Sequence, residues 1–189
     1  MTLTEQLWAI YSSRGAAGYF GEVVTTLEHS LQAAYFAQES KASDALVLAA
    51  LLHDIGHLID SAPEDFALWN ADARHEVSGS RWLAQRFGPE VSEPVRLHVP
   101  AKRYLCATDP SFLHQLSPAS VRTLALQGGP MSSAEMAAFR LEPYHRDAIE
   151  LRHFDDRGKV AGLRIADFAH YAGLIEANSR HQGVKQFTV

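Results

Sequence analysis

Apolar residues recur at helical spacing along most of the chain. Leu3, Leu7, Trp8, Ile10 and Tyr11 outline one face of a helix over residues 2–13, with Thr2 or Thr4 as its cap. The stretch from Arg14 to Gly21 breaks the pattern with Gly15, Gly18 and Gly21, and reads as a loop. From Glu22 the helical spacing resumes through Val23, Leu27, Leu31, Ala34, Tyr35 and Ala37, which puts His29 inside a second helix. Ser43 and Asp44 cap a third helix, from Ala45 to about Ile55, whose Leu-Val-Leu-Ala-Ala-Leu-Leu run is apolar on nearly every side. Such a helix belongs at the centre of a fold. It delivers His53 and Asp54 at its end, and Gly56 is its expected stop.

Pro63 marks a loop, and the next helix is predicted over residues 71–87 with His75 near its start and Gly88-Pro89 as its stop. The segment from Val91 to His98 should end at Pro100, because a proline disfavours helix in the residue before it. A short basic helix around Lys102-Arg103-Tyr104 follows, then a helix from Pro118 capped by Ser117. Gln127-Gly128-Gly129-Pro130 is a loop, and Ser132-Ser133-Ala134-Glu135 a capping box. Pro143 opens a helix to about His153, residues 154–162 read as irregular, and Arg164 to about Asn178 as a final helix. No segment alternates like a strand. The expected class is all-α, a helical bundle of eight or more short helices around the apolar third one.

At 189 residues the chain suits one domain, taken as residues 1–189 with a core of about 18–178 and a short C-terminal tail. A net charge of −5 does not suit a general nucleic-acid surface, so an anionic substrate needs locally placed cations. The single cysteine, Cys106, excludes an internal disulfide and thiolate metal sites. With no basic region ahead of an apolar segment at the start, and no run of membrane-spanning length, the chain reads as cytoplasmic, with no membrane partner.

His53 and Asp54 then stand out. Burying an ionised carboxylate without a partner is costly, and an imidazole–carboxylate set offsets that cost by holding Fe, Mn or Zn. The other candidate ligands are His29, His75, His98 and Asp155. A lone His29 or His75 would usually be a surface or structural residue, and Asp155, in Phe154-Asp155-Asp156-Arg157-Gly158-Lys159, a solvated acidic turn. Residue by residue, the balance tips towards a metal site of unresolved nuclearity.

The order His29, His53-Asp54, Asp155 resembles the His…His-Asp…Asp signature of the HD-domain superfamily, whose members are helical metalloproteins. His75 and His98 are similar to the additional ligands of its dinuclear members, which implies a centre bridged by Asp54. The resemblance then assigns His29, His53 and Asp155 to one metal and His75 and His98 to the other. It extends to Tyr19-Phe20-Gly21-Glu22, Leu27-Glu28-His29-Ser30-Leu31-Gln32, His53-Asp54-Ile55-Gly56-His57, His98-Val99-Pro100-Ala101-Lys102-Arg103-Tyr104-Leu105 and Gln127-Gly128-Gly129-Pro130-Met131. Together these cover roughly residues 18–160 and resemble the mixed-valence di-iron oxygenases of 1-hydroxyalkylphosphonates, typified by 2-amino-1-hydroxyethylphosphonate dioxygenase (glycine-forming).

That resemblance implies two iron ions as Fe(II)/Fe(III), O2 as co-substrate, and cleavage of a C–P bond to a carboxylate and phosphate. It implies that Lys102 and Arg152 grip the phosphonate and His57 donates to the substrate. Glu22 meets the substrate nitrogen, and Tyr19 is a transient metal ligand that leaves when substrate arrives. Phe20 replaces a smaller aliphatic residue, and an aromatic face suits a trimethylammonium group. The expected substrate is therefore a 1-hydroxy-2-(trimethylammonio or amino)ethylphosphonate, yielding glycine betaine or glycine, supplied by an upstream hydroxylase. Competing readings are an HD-type phosphohydrolase acting on a nucleotide or other phosphate ester, and a non-catalytic metal-dependent scaffold.

Overall fold

A computed structural model describes residues 1–19, 21–59 and 74–180. Among the described residues the expected all-α class holds. Regular structure is helical, apart from one isolated β-bridge between Gly18 and Thr25. No described helix is long and apolar enough to cross a membrane.

Helix α3 (Asp44–Leu52) forms the centre. Ser43 caps it by accepting a hydrogen bond from the Leu46 amide, and every residue from Leu46 to Leu52 is buried. Burial of each large aliphatic side chain contributes roughly 1.5–3 kcal/mol, enough for the tertiary core to hold a short helix. Around it pack α2 (Thr26–Glu39), α6 (Pro89–Thr108) and α10 (His145–Arg157). Helix α1 (Leu3–Arg14) covers the corner where α3 ends. The Tyr11 hydroxyl donates to the Leu51 carbonyl at 2.8 Å, and Arg14 Nη1 donates to the Leu58 carbonyl at 3.0 Å, satisfying acceptors left over at helix ends.

Several predicted boundaries move, each for a local reason. Helix α2 starts at Thr26 rather than Glu22, because Thr25 and Glu28 form a reciprocal capping box. Ahead of it Gly21, at φ +80°, makes a turn that only glycine enters without strain. Helix α3 stops at Leu52, and after His53 and Asp54 the chain forms the short α4 (Ile55–Ile59), so Gly56 lies inside a helix rather than ending one. Helix α5 (His75–Ala84) begins at His75 itself.

The expected break at Pro100 and the separate basic helix do not occur. Helix α6 runs continuously through Pro94 and Pro100. Each interior proline removes an amide donor at a cost of about 3 kcal/mol, but Val91, Val95, Leu97, Ala101 and Leu105 bury a side that continues past both. Packing against α5 and α10 outweighs the local preference. Helix α10 likewise extends through Phe154 and Asp155, expected to be irregular, because Leu151 and Phe154 stay in the core.

Three short helices, α7 (Pro110–Gln115), α8 (Pro118–Leu126) and α9 (Ser133–Phe139), bridge α6 and α10; the caps expected at Ser117 and Ser132 are present. The predicted final helix is shorter than expected. Asp167 caps a 3-10 turn at Phe168–Tyr171, and α11 (Ala172–Asn178) follows. The loop at Pro63, residues 71–73 of the predicted fourth helix and the tail from 181 lie outside the described residues, as does Phe20.

The α4–α5 crossing brings backbone against backbone. A Cβ on Gly56 would lie 2.0 Å from the His75 carbonyl oxygen, and one on Gly79 would lie 3.1 Å from the Gly56 nitrogen. Gly56→Ala should therefore force the two helices apart and destabilise the chain by about 1–3 kcal/mol, read from urea unfolding. An unchanged midpoint would show that the crossing tolerates the methyl group.

Candidate metal centre

Each of the six candidate ligands arrives on a different part of the framework, and all six converge. His29 comes from α2, His53 and Asp54 from the α3–α4 corner, His75 from the start of α5, His98 from the middle of α6 and Asp155 from the last turn of α10. All are buried. Asp54 lies at the centre and presents one oxygen to each side. Oδ2 is 3.4 Å from His53 Nε2 and 3.9 Å from His29 Nε2. Oδ1 is 3.3 Å from His75 Nε2, 3.7 Å from His98 Nε2 and 4.0 Å from His57 Nε2. Asp155 closes the first side, with Oδ1 3.4 Å from His29 Nε2 and Oδ2 3.9 Å from His53 Nε2.

The backs of the rings decide which nitrogen faces inward. His53 Nδ1 donates to the Ala50 carbonyl at 2.8 Å, one of the acceptors left over where α3 ends. His98 Nδ1 donates to the Val95 carbonyl at 2.7 Å, and His29 Nδ1 to the Gly158 carbonyl at 2.9 Å. With the proton on Nδ1, each Nε2 offers a lone pair to the interior. His29 and His53 then bring their Nε2 atoms to 3.1 Å, and so do His75 and His98. Two bare lone pairs at that distance repel, so a proton or a metal cation must stand between them. Among the described residues the buried Asp155 Oδ1 accepts no hydrogen bond, which leaves it as a further donor atom for a cation.

Two overlapping groups, His29–His53–Asp54 and Asp54–His75–His98, therefore fit a metal ion each, sharing Asp54. The donors are imidazole nitrogen and carboxylate oxygen throughout, which suits iron, manganese or zinc. The titration behaviour of the side chains follows the same geometry. Burial works against the Asp54 carboxylate, yet the His53, His75 and His57 imidazoles hold its pKa well below the usual range. Burial also opposes charge on His53, but Asp54 and Asp155 outweigh it and raise that ring to about 9. His98 goes the other way, to about 3, because burial and the His75 ring both disfavour its charged form.

The predicted substrate-side residues divide. Tyr19 stacks on His29, with ring centroids 3.9 Å apart, and its hydroxyl donates to Asp54 Oδ2 at 2.7 Å. His57 stacks on His75 at 3.8 Å, and burial pushes its pKa down, so it is a neutral ring. Tyr19, His57, Lys102 and Arg152 line one cavity of about 50 Å³ beside Asp54 and Asp155. Lys102 is buried and donates to Thr123 Oγ1 at 2.9 Å; burial and the Arg152 charge lower its pKa to about 7. Arg152 forks onto Asp156 through Nε and Nη2 and reaches Asp155 Oδ2 through Nη1 at 2.5 Å. Glu22 stands apart from this cavity, accepting a hydrogen bond from Ser117 Oγ at 2.5 Å. Phe20 is outside the described residues.

Sequence reasoning passed over several groups. Ser120, Thr123 and Gln127 from α8 and its end line the cavity, and only the spacing of Ser120 and Thr123 on one helical face hinted at this. Asp156 and Lys159, within an apparently solvated charge run, form a pair at 3.2 Å beside Arg152. The Gly158 carbonyl carries no side-chain signal at all.

Comparison with known proteins agrees with this arrangement. The HD domain family model matches residues 26–153, which include five of the six candidate ligands, with Asp155 two residues beyond. A protein of Gimesia maris named hydroxymethylphosphonate dioxygenase is 46% identical over 164 residues, 86% of this chain and 82% of that protein. A protein of Leisingera caerulea named [1-hydroxy-2-(trimethylamino)ethyl]phosphonate dioxygenase (glycine-betaine-forming) is 38% identical over 186 residues, 96% of this chain and 93% of that protein. With its His and Asp clusters in the place where a metal cofactor fits, the chain belongs to the HD-domain family.

Proposed function

We propose that this protein is a di-iron oxygenase that cleaves the C–P bond of a 1-hydroxyphosphonate. The observation that carries the proposal is Asp54, whose two oxygens each face a separate pair of inward-turned imidazoles beside a cavity with Lys102 and Arg152 on its wall. The two named dioxygenases, similar over most of their length, support the choice of reaction. His29, His53 and Asp155 would hold one iron, His75 and His98 the other, and Asp54 both. When bound, the irons supply the redox electrons and Lewis acidity that O2 chemistry at C1 requires. The net reaction adds one oxygen to carbon and one to phosphorus: R–CH(OH)–PO3²⁻ and O2 give R–COO⁻, HPO4²⁻ and H⁺.

The remaining residues bind and orient. Lys102 and Arg152 offer positive charge to the phosphonate, and Ser120 and Thr123 offer hydroxyl donors from the same wall. Tyr19 closes the cavity over Asp54 and must leave when substrate enters. Neutral His57 can donate a hydrogen bond without adding charge. The reading includes one domain, the cytoplasm as location and a hydroxylase acting earlier to install the 1-hydroxyl.

The substituent on C1 has two readings. A trimethylammonio or amino group, as the Tyr19-Phe20-Gly21-Glu22 segment suggests, needs Glu22 to turn from Ser117 towards the cavity. The present geometry favours a compact substrate. Glu22 is engaged with Ser117, and a volume of about 50 Å³ holds only a few water molecules, so hydroxymethylphosphonate requires only that Tyr19 withdraw, with Glu22 left in place.

O2 uptake and phosphate release, measured on hydroxymethylphosphonate and the two nitrogen-bearing 1-hydroxyphosphonates, should be equimolar and fastest on the first. Phosphate release that continues without O2 would establish a hydrolase instead, and preference for the trimethylammonium compound would restore the nitrogen-binding role of Glu22. His75→Ala and His98→Ala should each bind one iron fewer per chain with helical circular dichroism intact; retention of both irons by either variant would remove that residue from the ligand set.

Lys102 adds a pH signature. Its pKa, lowered to about 7, leaves it cationic below that pH and neutral above. KM for the phosphonate should therefore rise as pH increases through 7, beyond any trend due to substrate ionisation. Lys102→Arg, which stays charged, should flatten that rise, and an identical profile in both proteins would remove Lys102 from the anion grip.

A further inference from the structure

Residues 158–160, just past the end of α10, touch the metal centre and the cation cluster in three successive ways. The Gly158 carbonyl accepts from His29 Nδ1 at 2.9 Å. Lys159 Nζ lies 3.1 Å from Ser120 Oγ, 3.2 Å from Asp156 Oδ1 and 4.0 Å from Asp155 Oδ1. The Val160 backbone is held on both sides by a single side chain. Gln32 Nε2 donates to the Val160 carbonyl at 2.8 Å, and the Val160 amide donates to Gln32 Oε1 at 2.9 Å.

Gln32 is itself buried, three residues after His29 on the same face of α2. A buried side-chain amide whose donor and acceptor groups both pair with the backbone of one residue is a fixed clamp rather than a mobile contact. The Val160 side chain is 46% exposed, so burial of that residue does not hold the segment, whereas the clamp does. Gly158 has no slack either. A Cβ there would lie 3.1 Å from both His29 Nδ1 and the His29 carbonyl oxygen.

We propose that Gln32 is a positioning residue for the metal centre. By clamping Val160 it holds the Gly158 carbonyl against His29 Nδ1, which keeps Nε2 free to bind metal, and it fixes Lys159 against the Asp155–Asp156 pair. The proposal rests on the two-metal reading and concerns only the side built from His29, His53 and Asp155. Loss of an outer hydrogen-bond partner of a metal-binding histidine weakens metal affinity by about 10- to 100-fold. The other side, with His75 and His98, has its own contacts and should not respond.

Co(II) alone is the probe, titrated into metal-free protein and followed by ligand-field absorption and equilibrium dialysis. In the His75→Ala background only the His29 side remains, and adding Gln32→Met, which keeps the length and removes both hydrogen bonds, should weaken Co(II) binding by about 10-fold or more. In the His29→Ala background the same change should leave the remaining affinity unaltered. Gln32→Glu, which keeps the acceptor for the Val160 amide, should fall between wild type and Gln32→Met and serves if the methionine variant fails to fold. Val160 amide exchange, measured alongside, should quicken in both. Co(II) affinity within about two-fold of the His75→Ala parent, despite faster Val160 exchange, would make the clamp merely structural and overturn the proposal. If the His75→Ala protein itself took up no Co(II), the two-metal reading would fail, and the positioning role with it.

Discussion

Two carboxylates and four imidazole lone pairs directed into one buried volume repel one another unless positive charge lies among them. Asp54 lies within 4 Å of five histidine rings, close enough for a proton or a metal cation held by those rings to offset its charge. Most of the architecture can be understood as the container for this concentration of donors. Helix α3 is apolar on all sides because it must reach the centre to deliver His53 and Asp54. Helices α2, α5, α6 and α10 each contribute one further candidate ligand from a buried face.

The backbone does as much as the side chains. An imidazole can turn either nitrogen inward, and three of the rings are set by carbonyl groups: Ala50 in the last turn of α3, Val95 in the proline-containing stretch of α6, and Gly158 just after α10. Helix ends leave acceptors unpaired, and here two of them orient the candidate metal-binding rings of His53 and His29. The cut between α3 and α4 thus frees the Ala50 carbonyl: an uninterrupted helix through residue 55 would engage it in its own ladder.

The sequence disclosed the candidate ligands more readily than the contacts that aim them. His53 and Asp54 were legible as candidates because polarity at the end of an apolar run has few explanations, and the remaining candidates followed from their resemblance to a known order. Helix boundaries were less legible wherever packing opposes local preference, as at Pro94 and Pro100, or where a glycine serves close approach rather than a turn, as at Gly56. Asp156 and Lys159 were hidden because a charge run looks the same whether solvated or folded back onto a site. Glu22 was identified by its neighbours in the chain, yet its partner, Ser117, is 95 residues away and carries no local signal.

The continuity of α6 has one more consequence. His98 and Lys102 lie four residues apart on an unbroken helix, so their Cα atoms are separated by about 6 Å along its axis. That interval does not adapt. The helix acts as a ruler between the imidazole of His98 and the amine of Lys102, and on the proposed reading it suits molecules that carry their hydroxyl and their phosphorus on the same carbon. A homologous compound with one more methylene between those groups would meet one end of the ruler and miss the other.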